Sequence, residues 1–526
     1  MLKIILIALI QFIFAPKLLS QHDVIETQSW GKKYDRKRNL YIQSYDGTSL
    51  VAQVLLPKAK YFPSLRPAVI FANSWTLDEN EYEMQARRFA SRGYIVLSYA
   101  TRGFGRSEGM VSAAGPDDVR DVSAMIDWLE EHTAVDVDRI AMSGVSYGGG
   151  ISLLALAQEP RLFTAAALSS WSDLEQSLYG NATLRRVWID ILLKSGEIAG
   201  RIDPEFKEIY ESLKNNENID EIRAWANERS ARFLVDKINQ KGAPVLLANS
   251  YRDNLFPPSQ SLPFFEALTV EKKFYMNRGI HASAETSGII GLRSEIWDSV
   301  HDWFDHWLTD KKSILKEDYP YILQSEEGLE YFKSLPKGNA KKGGIALNVW
   351  NDIEKGGADI EKSGIDIDTL RDSGASTGVP IIGAIFDSHT PIKTRKRLSR
   401  INKKHGAVYV GEKLASEKKI RGIPKVMVDL IPNSPELRLV AYLYDLDRWG
   451  KGTLISHGVV SLRGLIEGEE ISINLDLALN SYDIEKGHRF ALVIDGGDQL
   501  YGKSSAQSEG FRIVHDGSQK LALLIP

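Results

Sequence analysis

The pentapeptide Gly144-Val145-Ser146-Tyr147-Gly148 constrains this chain more than any other stretch. It follows a strand-type run, Arg139–Met142, and leads straight into a helix-type run, Gly150–Ala157. A Gly-x-Ser-x-Gly turn in that context is a nucleophile elbow, with the serine held in a strained backbone conformation and glycines where side chains would collide. Such a turn lifts Ser146 above a sheet edge and aims the Tyr147 backbone N–H at a developing oxyanion. The pattern alone is not decisive, because Gly105-Arg106-Ser107-Glu108-Gly109 also fits it. No apolar helix follows that second match, and Glu108 would oppose a neighbouring oxyanion, so Ser107 is read as a loop residue.

Around the elbow, strand-type and helix-type runs alternate. Leu40–Ser44 and Leu50–Leu56 flank a turn at Tyr45-Asp46-Gly47-Thr48. Ala68–Ala72, Tyr94–Tyr99, Ala165–Leu168, Pro244–Ala248 and Lys273–Met276 read as buried strands, and Glu81–Arg92 and a segment opening at Pro116 read as helices. Strands alternating with helices predict a mostly parallel sheet covered on both faces. Residues 172–242 lack strand signals and carry helical spacing, which predicts a helical insertion. After the helix Trp297–Leu308 the pattern changes to short β-type runs: Ile345–Trp350, Val379–Phe386, Ala407–Val410, Lys425–Leu430, Leu437–Leu443, Glu470–Leu475 and Phe490–Ile494. These predict an all-β sandwich or jelly roll, with residues 351–378 as loop.

A serine nucleophile needs a base and an acid to orient it, and in this type of sheet the chain order is Ser, then Asp or Glu, then His. Asp253 follows the strand Pro244–Ala248, and His281 follows the strand Lys273–Met276. All three residues therefore fall at the carboxyl edge, where open α/β sheets bind ligands. The roles that follow are Ser146 as nucleophile, His281 as general base and then acid, and Asp253 as the group fixing the imidazole tautomer. Asp173 is a rival acid, and His301 and His306 are rival bases. The two histidines sit about 140° apart on a predicted helix and form no metal pair.

Composition closes off other chemistries. The chain has 526 residues and no Cys, which removes disulfides, thiolate metal sites and a cysteine nucleophile. A net charge of −4 provides no field for nucleic acid or an anionic membrane. The basic run Lys393–Lys404 has seven Lys or Arg in twelve residues, but it lacks aromatic residues for base stacking and reads as a solvated loop. Lys3 and the apolar run Ile4–Ala15 read as a signal peptide over residues 1–20, too short to span the ~30 Å of a bilayer core. The expectation is an exported protein, periplasmic or secreted, with no membrane span after signal removal. The triad needs no metal or organic cofactor.

These motifs resemble peptidase family S15, the group of X-Pro dipeptidyl-peptidases, cocaine esterase and α-amino-acid ester hydrolases. The matching pieces are Thr101–Gly109, the elbow, Tyr251-Arg252-Asp253-Asn254, His281 and Trp303–Leu308, with Tyr409–Val428 and Leu437–Arg463 further on. The resemblance implies an α/β-hydrolase core over residues 21–312, a helical cap over about 172–242, and a C-terminal all-β jelly-roll domain over 313–526. It also implies an acyl-enzyme on Ser146 and a small-molecule ester or short peptide as substrate. Asn73-Ser74-Trp75 stands where the family often carries an Asn-Pro-Tyr loop, so the Trp75 indole or backbone N–H is the expected second oxyanion donor. Asp78, Glu79 and Glu81 after that loop and Asp173 and Glu175 at the start of the cap are carboxylates within reach of a substrate amine, but loop charges are mostly solvated and none is assigned that role. The competing reading is a glycan- or partner-binding protein with an inert hydrolase domain, which has no use for an intact Ser–Asp–His set.

Overall fold

The computed structural model describes residues 26–28, 33–310, 318–337, 347–349, 364–369, 371–375, 395–502, 510–514 and 521–526. The expected signal peptide and the expected strand Val379–Phe386 lie outside these residues. Eleven strands form the first sheet: β1 Glu26–Gln28, β2 Tyr34–Gln43, β3 Ser49–Pro57, β4 Arg66–Ala72, β5 Ile95–Tyr99, β6 Val135–Val145, β7 Leu162–Leu168, β8 Val245–Ser250, β9 Lys272–Asn277, β10 Tyr321–Gln324 and β11 Leu329–Phe332. Their spatial order is β1-β2-β3-β5-β4-β6-β7-β8-β9-β10-β11. From β5 to β10 every pairing is parallel, and antiparallel strands close both edges.

The two faces follow from the period of two along each strand. Ala68, Ile70, Ile95, Leu97, Ile140 and Met142 point to one side, under the helices Pro116–His132 and Tyr147–Gln158. Val69, Phe71, Val96, Ala141 and Val145 point to the other, under Glu83–Ala90 and Glu295–Leu308. Between β7 and β8 the chain leaves the sheet to build a cap from Leu174–Tyr179, Arg186–Ala199, Pro204–Asn215, Ile219–Glu228 and Val235–Lys241. Asp203 caps the third of these helices through the Glu205 N–H, Pro204 opens it, and Asn216 ends it in a left-handed conformation. Among the described residues no helix is long and apolar enough to cross a membrane.

The second part is a β-sandwich. Leu347–Val349, Gly406–Gly411, Arg489–Asp495, Glu436–Leu446, Lys451–Arg463 and Arg395–Arg397 form a six-stranded antiparallel sheet in that order. The facing sheet holds Ile365–Ile367, Phe511–Ile513, Lys425–Pro432, Ile471–Asp476 and Leu521–Leu524. Leu439, Ala441, Leu443 and Leu492 of one sheet meet Val426, Val428, Ile473 and Phe511 of the other. The outer face of the six-stranded sheet is buried too: Val440, Tyr442 and Val493, with Tyr501 of the turn Gln499–Tyr501, receive Val187 and Trp188 of the cap.

Three expectations change in detail. The β-rich run expected from 313 onward begins by giving β10 and β11 to the first sheet. Ile365–Ile367, expected as loop, pairs with Phe511–Ile513. Of the basic run, Arg395–Arg397 is a strand beside Lys451–Arg463, and Leu398 is buried in the sandwich.

Arg102 fastens the hairpin β2–β3 to the helix Pro116–His132. Its Nε and second terminal nitrogen donate to Asp121 at 2.8 and 2.6 Å, and its other terminal nitrogen reaches Asp46 at 3.1 Å. Both the guanidinium and the Asp121 carboxylate are buried. Arg102→Leu leaves the buried Asp121 carboxyl without its ion partner and with only the Ser44 hydroxyl as donor among the described residues, and should lower unfolding stability by about 3–5 kcal/mol in a denaturant titration.

Candidate active site

The elbow forms at the carboxyl end of β6. Ser146 has φ +56° and ψ −113°, a strained conformation for a residue with a side chain. Its N–H donates to the Leu168 carbonyl at 2.8 Å, which holds the turn against β7. Gly148 is required by contact: a Cβ there would lie 2.1 Å from the Ala72 carbonyl oxygen.

The loops after β8 and β9 bring the other two predicted residues to Ser146. His281 Nε2 stands 2.9 Å from Ser146 Oγ, and His281 Nδ1 stands 2.8 Å from Asp253 Oδ2. The other Asp253 oxygen accepts the backbone N–H groups of Leu255 and Phe256 at 2.9 and 2.8 Å. With its carboxylate accepting from Nδ1–H, the Nε2 lone pair faces the serine hydroxyl. Burial pulls the imidazole pKa down, but the Asp253 charge and hydrogen bond outweigh it and hold the pKa above the ordinary histidine value. The arrangement can take a proton from Ser146 and keep the resulting imidazolium stable.

Trp75 falls beside the site in a different role from the one expected of its indole. The indole Nε1–H donates to the Leu192 carbonyl of the cap at 3.0 Å, which engages its one donor. The ring meets Tyr147 edge-on at 5.3 Å and Phe104 at 5.0 Å, as a wall of the site. Its backbone is fixed from one residue back: Glu81 accepts both the N–H and the hydroxyl of Ser74 at 2.6 Å. Burial pushes the Glu81 carboxyl up to about 7. Tyr147 is braced behind the elbow, its hydroxyl accepting from the Ala114 N–H and donating to Asp118.

A pocket of about 440 Å³ opens beside Ser146. Trp75, Trp171, Leu178, Leu192, Phe206 and Phe256 supply most of its wall, and among the described residues no carboxylate lines it. The expected amine-binding candidates are engaged elsewhere. Asp173 caps the helix Leu174–Tyr179 and pairs with Arg232, Glu175 pairs with Arg223, and Glu79 pairs with Arg106. Asp78 accepts the Asn80 N–H in a local turn. Of the rivals for the triad, Ser107 donates to the Ala100 carbonyl and accepts from the Val51 N–H. His301 packs on Phe89 with Nε2 toward Gln85, and burial holds its pKa down at about 3. Among the described residues no three His, Asp or Glu side chains stand together in a way that would hold a metal ion.

Glu285 was not found from sequence. It lies four residues after His281 and is fully buried, and its Oε1 accepts from Ser169 Oγ at 2.8 Å. Its Oε2 has no hydrogen-bond partner among the described residues. Burial pushes its carboxyl up to about 7, against a smaller opposing effect of Ser169. The spacing from His281 was visible in the sequence, but nothing in it marks an acid that folds inward.

Two family models match the chain. One, for the X-Pro dipeptidyl-peptidase (S15 family), covers residues 46–283, and the other, for the X-Pro dipeptidyl-peptidase C-terminal non-catalytic domain, covers residues 346–519. A Streptomyces avermitilis protein named "Putative Xaa-Pro dipeptidyl-peptidase" is 21% identical over 499 residues, which covers 78% of this chain and 68% of the relative. Two solved structures share the fold from end to end. An α-amino acid ester hydrolase superposes with a TM-score of 0.72 at 15% identity, covering 98% of this chain and 99% of the other. A CocE/NonD family hydrolase from Staphylococcus aureus gives 0.66 at 14%, covering 98% and 100%.

Two outcomes follow from the geometry. Trp75→Phe should lower turnover by far less than the ~10²-fold that loss of an oxyanion donor causes, while the lost bond to Leu192 lowers stability by about 1 kcal/mol. The raised pKa of Glu285 means that the folded state favours the neutral carboxyl. Its contribution to stability is present below about pH 4.5 and is lost as pH rises through about 7. Glu285→Gln should therefore raise the melting temperature at pH 8 by about 2–4 °C and leave it unchanged near pH 4, as read by calorimetry.

Proposed function

Because the chain belongs to the S15 family of serine hydrolases, we propose that Ser146, His281 and Asp253 are its catalytic triad and that its substrates are carboxylic esters with an uncharged, apolar acyl group. The observation that carries this reading is the single imidazole seated 2.9 Å from Ser146 Oγ and 2.8 Å from Asp253, at the mouth of a pocket with no carboxylate in its wall. A dipeptidyl-peptidase or an amino-ester hydrolase must hold a substrate ammonium, and a buried ammonium needs a charge partner.

In this mechanism the Ser146 hydroxyl passes its proton to His281 Nε2 as Oγ attacks the ester carbonyl. The oxyanion is met by the backbone N–H of Tyr147 and that of Trp75, neither of which has a hydrogen-bond partner among the described residues. His281 then gives its proton to the leaving alkoxide, and the acyl group stays on Ser146. Water repeats the sequence: His281 takes its proton, the hydroxide carbon–oxygen bond forms, and Ser146 leaves with the proton restored. Asp253 keeps Nδ1 protonated throughout. The apolar run Ile4–Ala15 supports export as part of the same reading.

The test is a paired assay of p-nitrophenyl butyrate and Ala-Pro p-nitroanilide. The expected result is ester turnover that falls about 10⁶-fold in Ser146→Ala, with the anilide at background. Comparable kcat/KM on the anilide would overturn the ester reading in favour of a dipeptidyl-peptidase. A parent protein that Ser146→Ala fails to impair would overturn the triad.

A further inference from the structure

A second apolar space, partly open to solvent, lies in the cap next to the pocket beside Ser146. Leu174, Leu178, Phe206 and Trp225 line both spaces. The rings of Phe206 and Trp225 stack with centroids 6.0 Å apart and 15° between planes, so the two cavities share a thin aromatic partition. Beyond it the wall is mainly aliphatic, with Ile209, Leu213, Ile219 and Ile222. Two tyrosines also border the space, but their hydroxyls are bonded to other groups. Tyr179 donates to Asn216 at 2.8 Å and accepts from Arg463 at 3.1 Å, and Tyr210 donates to Asp190. At the rim stands the Glu175–Arg223 ion pair, at 3.0 Å and partly exposed.

The space lies against the small core of the cap, where Tyr179, Ile189, Tyr210, Leu213 and Ile222 are the buried residues. It adjoins the space where the acyl group of an ester would sit, and its aliphatic and aromatic wall offers a chain no free hydrogen-bonding group along its length. An apolar chain that reached it would bury its own methylenes against that wall.

We propose that this chamber is the distal half of the acyl site, so that the preferred substrates are esters of medium-length alkanoic acids whose tails pass Phe206 and Trp225 into the cap. The proposal rests on the ester reading above. It makes Phe206 and Trp225 the residues that set acyl length, and Ile209 and Ile219 the floor against which the tail ends.

The experiment is a chain-length series of p-nitrophenyl esters, from acetate to dodecanoate below their micellar concentrations, on the full chain and three variants. The parent is expected to favour octanoate over butyrate in kcat/KM by at least about tenfold, since each further buried methylene contributes about fourfold. Ile209→Phe and Ile219→Phe fill the chamber, and each should cut the octanoate-to-butyrate ratio about tenfold while the melting temperature holds or rises. Phe206→Ala opens the partition and should move the optimum to a longer chain. An unchanged ratio in a folded filling variant, a parent that favours butyrate, or an unmoved optimum in Phe206→Ala would each overturn the chamber. A parent that cleaves no ester of any length would overturn the ester reading and the chamber together.

Discussion

Gly148 has no space for even a methyl group, because the Ala72 carbonyl presses against it. That contact lets the helix Tyr147–Gln158 start almost on top of β4. The chain can then turn from β6 into the helix within one residue, with Ser146 taking the strain at positive φ. The same closeness sets the oxyanion side. Asn73-Ser74-Trp75 leaves β4 next to the elbow, and the Ser74 hydroxyl reaches the Val145 carbonyl at 3.0 Å. Ser146, the turn that carries it and the loop Asn73-Ser74-Trp75 are thus one packed unit. The half-buried acid Glu81 secures this unit at one end, and Asp118, through the Tyr147 hydroxyl, secures it at the other.

The cap is held from both sides. Toward the sheet, the Trp75 indole bonds to the helix Arg186–Ala199, and Gly196 of that helix lets it approach the same ring. Toward the sandwich, Asn181 donates to the Val459 carbonyl, Arg185 meets the Tyr501 hydroxyl, and Arg463 donates to Tyr179. Trp188 lies between them, its ring 6.2 Å from His281 on one side and its body packed on the outer face of the six-stranded sheet. The sandwich thus reaches the neighbourhood of Ser146 through the cap, whose helices it contacts on their outer side.

The sheet and the meeting of Ser146, His281 and Asp253 were legible because they rest on local chemistry. Strand-length apolar runs, the Gly-x-Ser-x-Gly turn and the placement of Asp253 and His281 just after two such runs all survive in one dimension. The cap was legible as helix but not as a container, because a cavity is a property of packing between Phe206, Trp225 and residues far along the chain. The bond of the Trp75 indole to the cap was not legible for the same reason: its partner, the Leu192 carbonyl, is 117 residues away. Lys451–Arg463 escaped notice as a strand because Gly452 and Gly458 interrupt its pattern. Yet both are needed there, since a Cβ on Gly458 would meet the Asp476 carbonyl at 2.7 Å and one on Gly452 would meet Leu398 at 2.9 Å.

The hairpin of β10 and β11 ties the two halves into a shared seam. Tyr321–Gln324 runs parallel to β9, and Glu330 on β11 reaches Arg421 of the sandwich, which also holds Asp483. The change in composition near 313 is thus not where the molecule divides. A hydrolase half cut there would leave β9 with a bare row of N–H and C=O groups, a template on which other chains could stack. The natural unit of inheritance or of grafting runs past Phe332. Any chimera that swaps sandwiches while keeping the catalytic half must carry this hairpin with the sheet it completes.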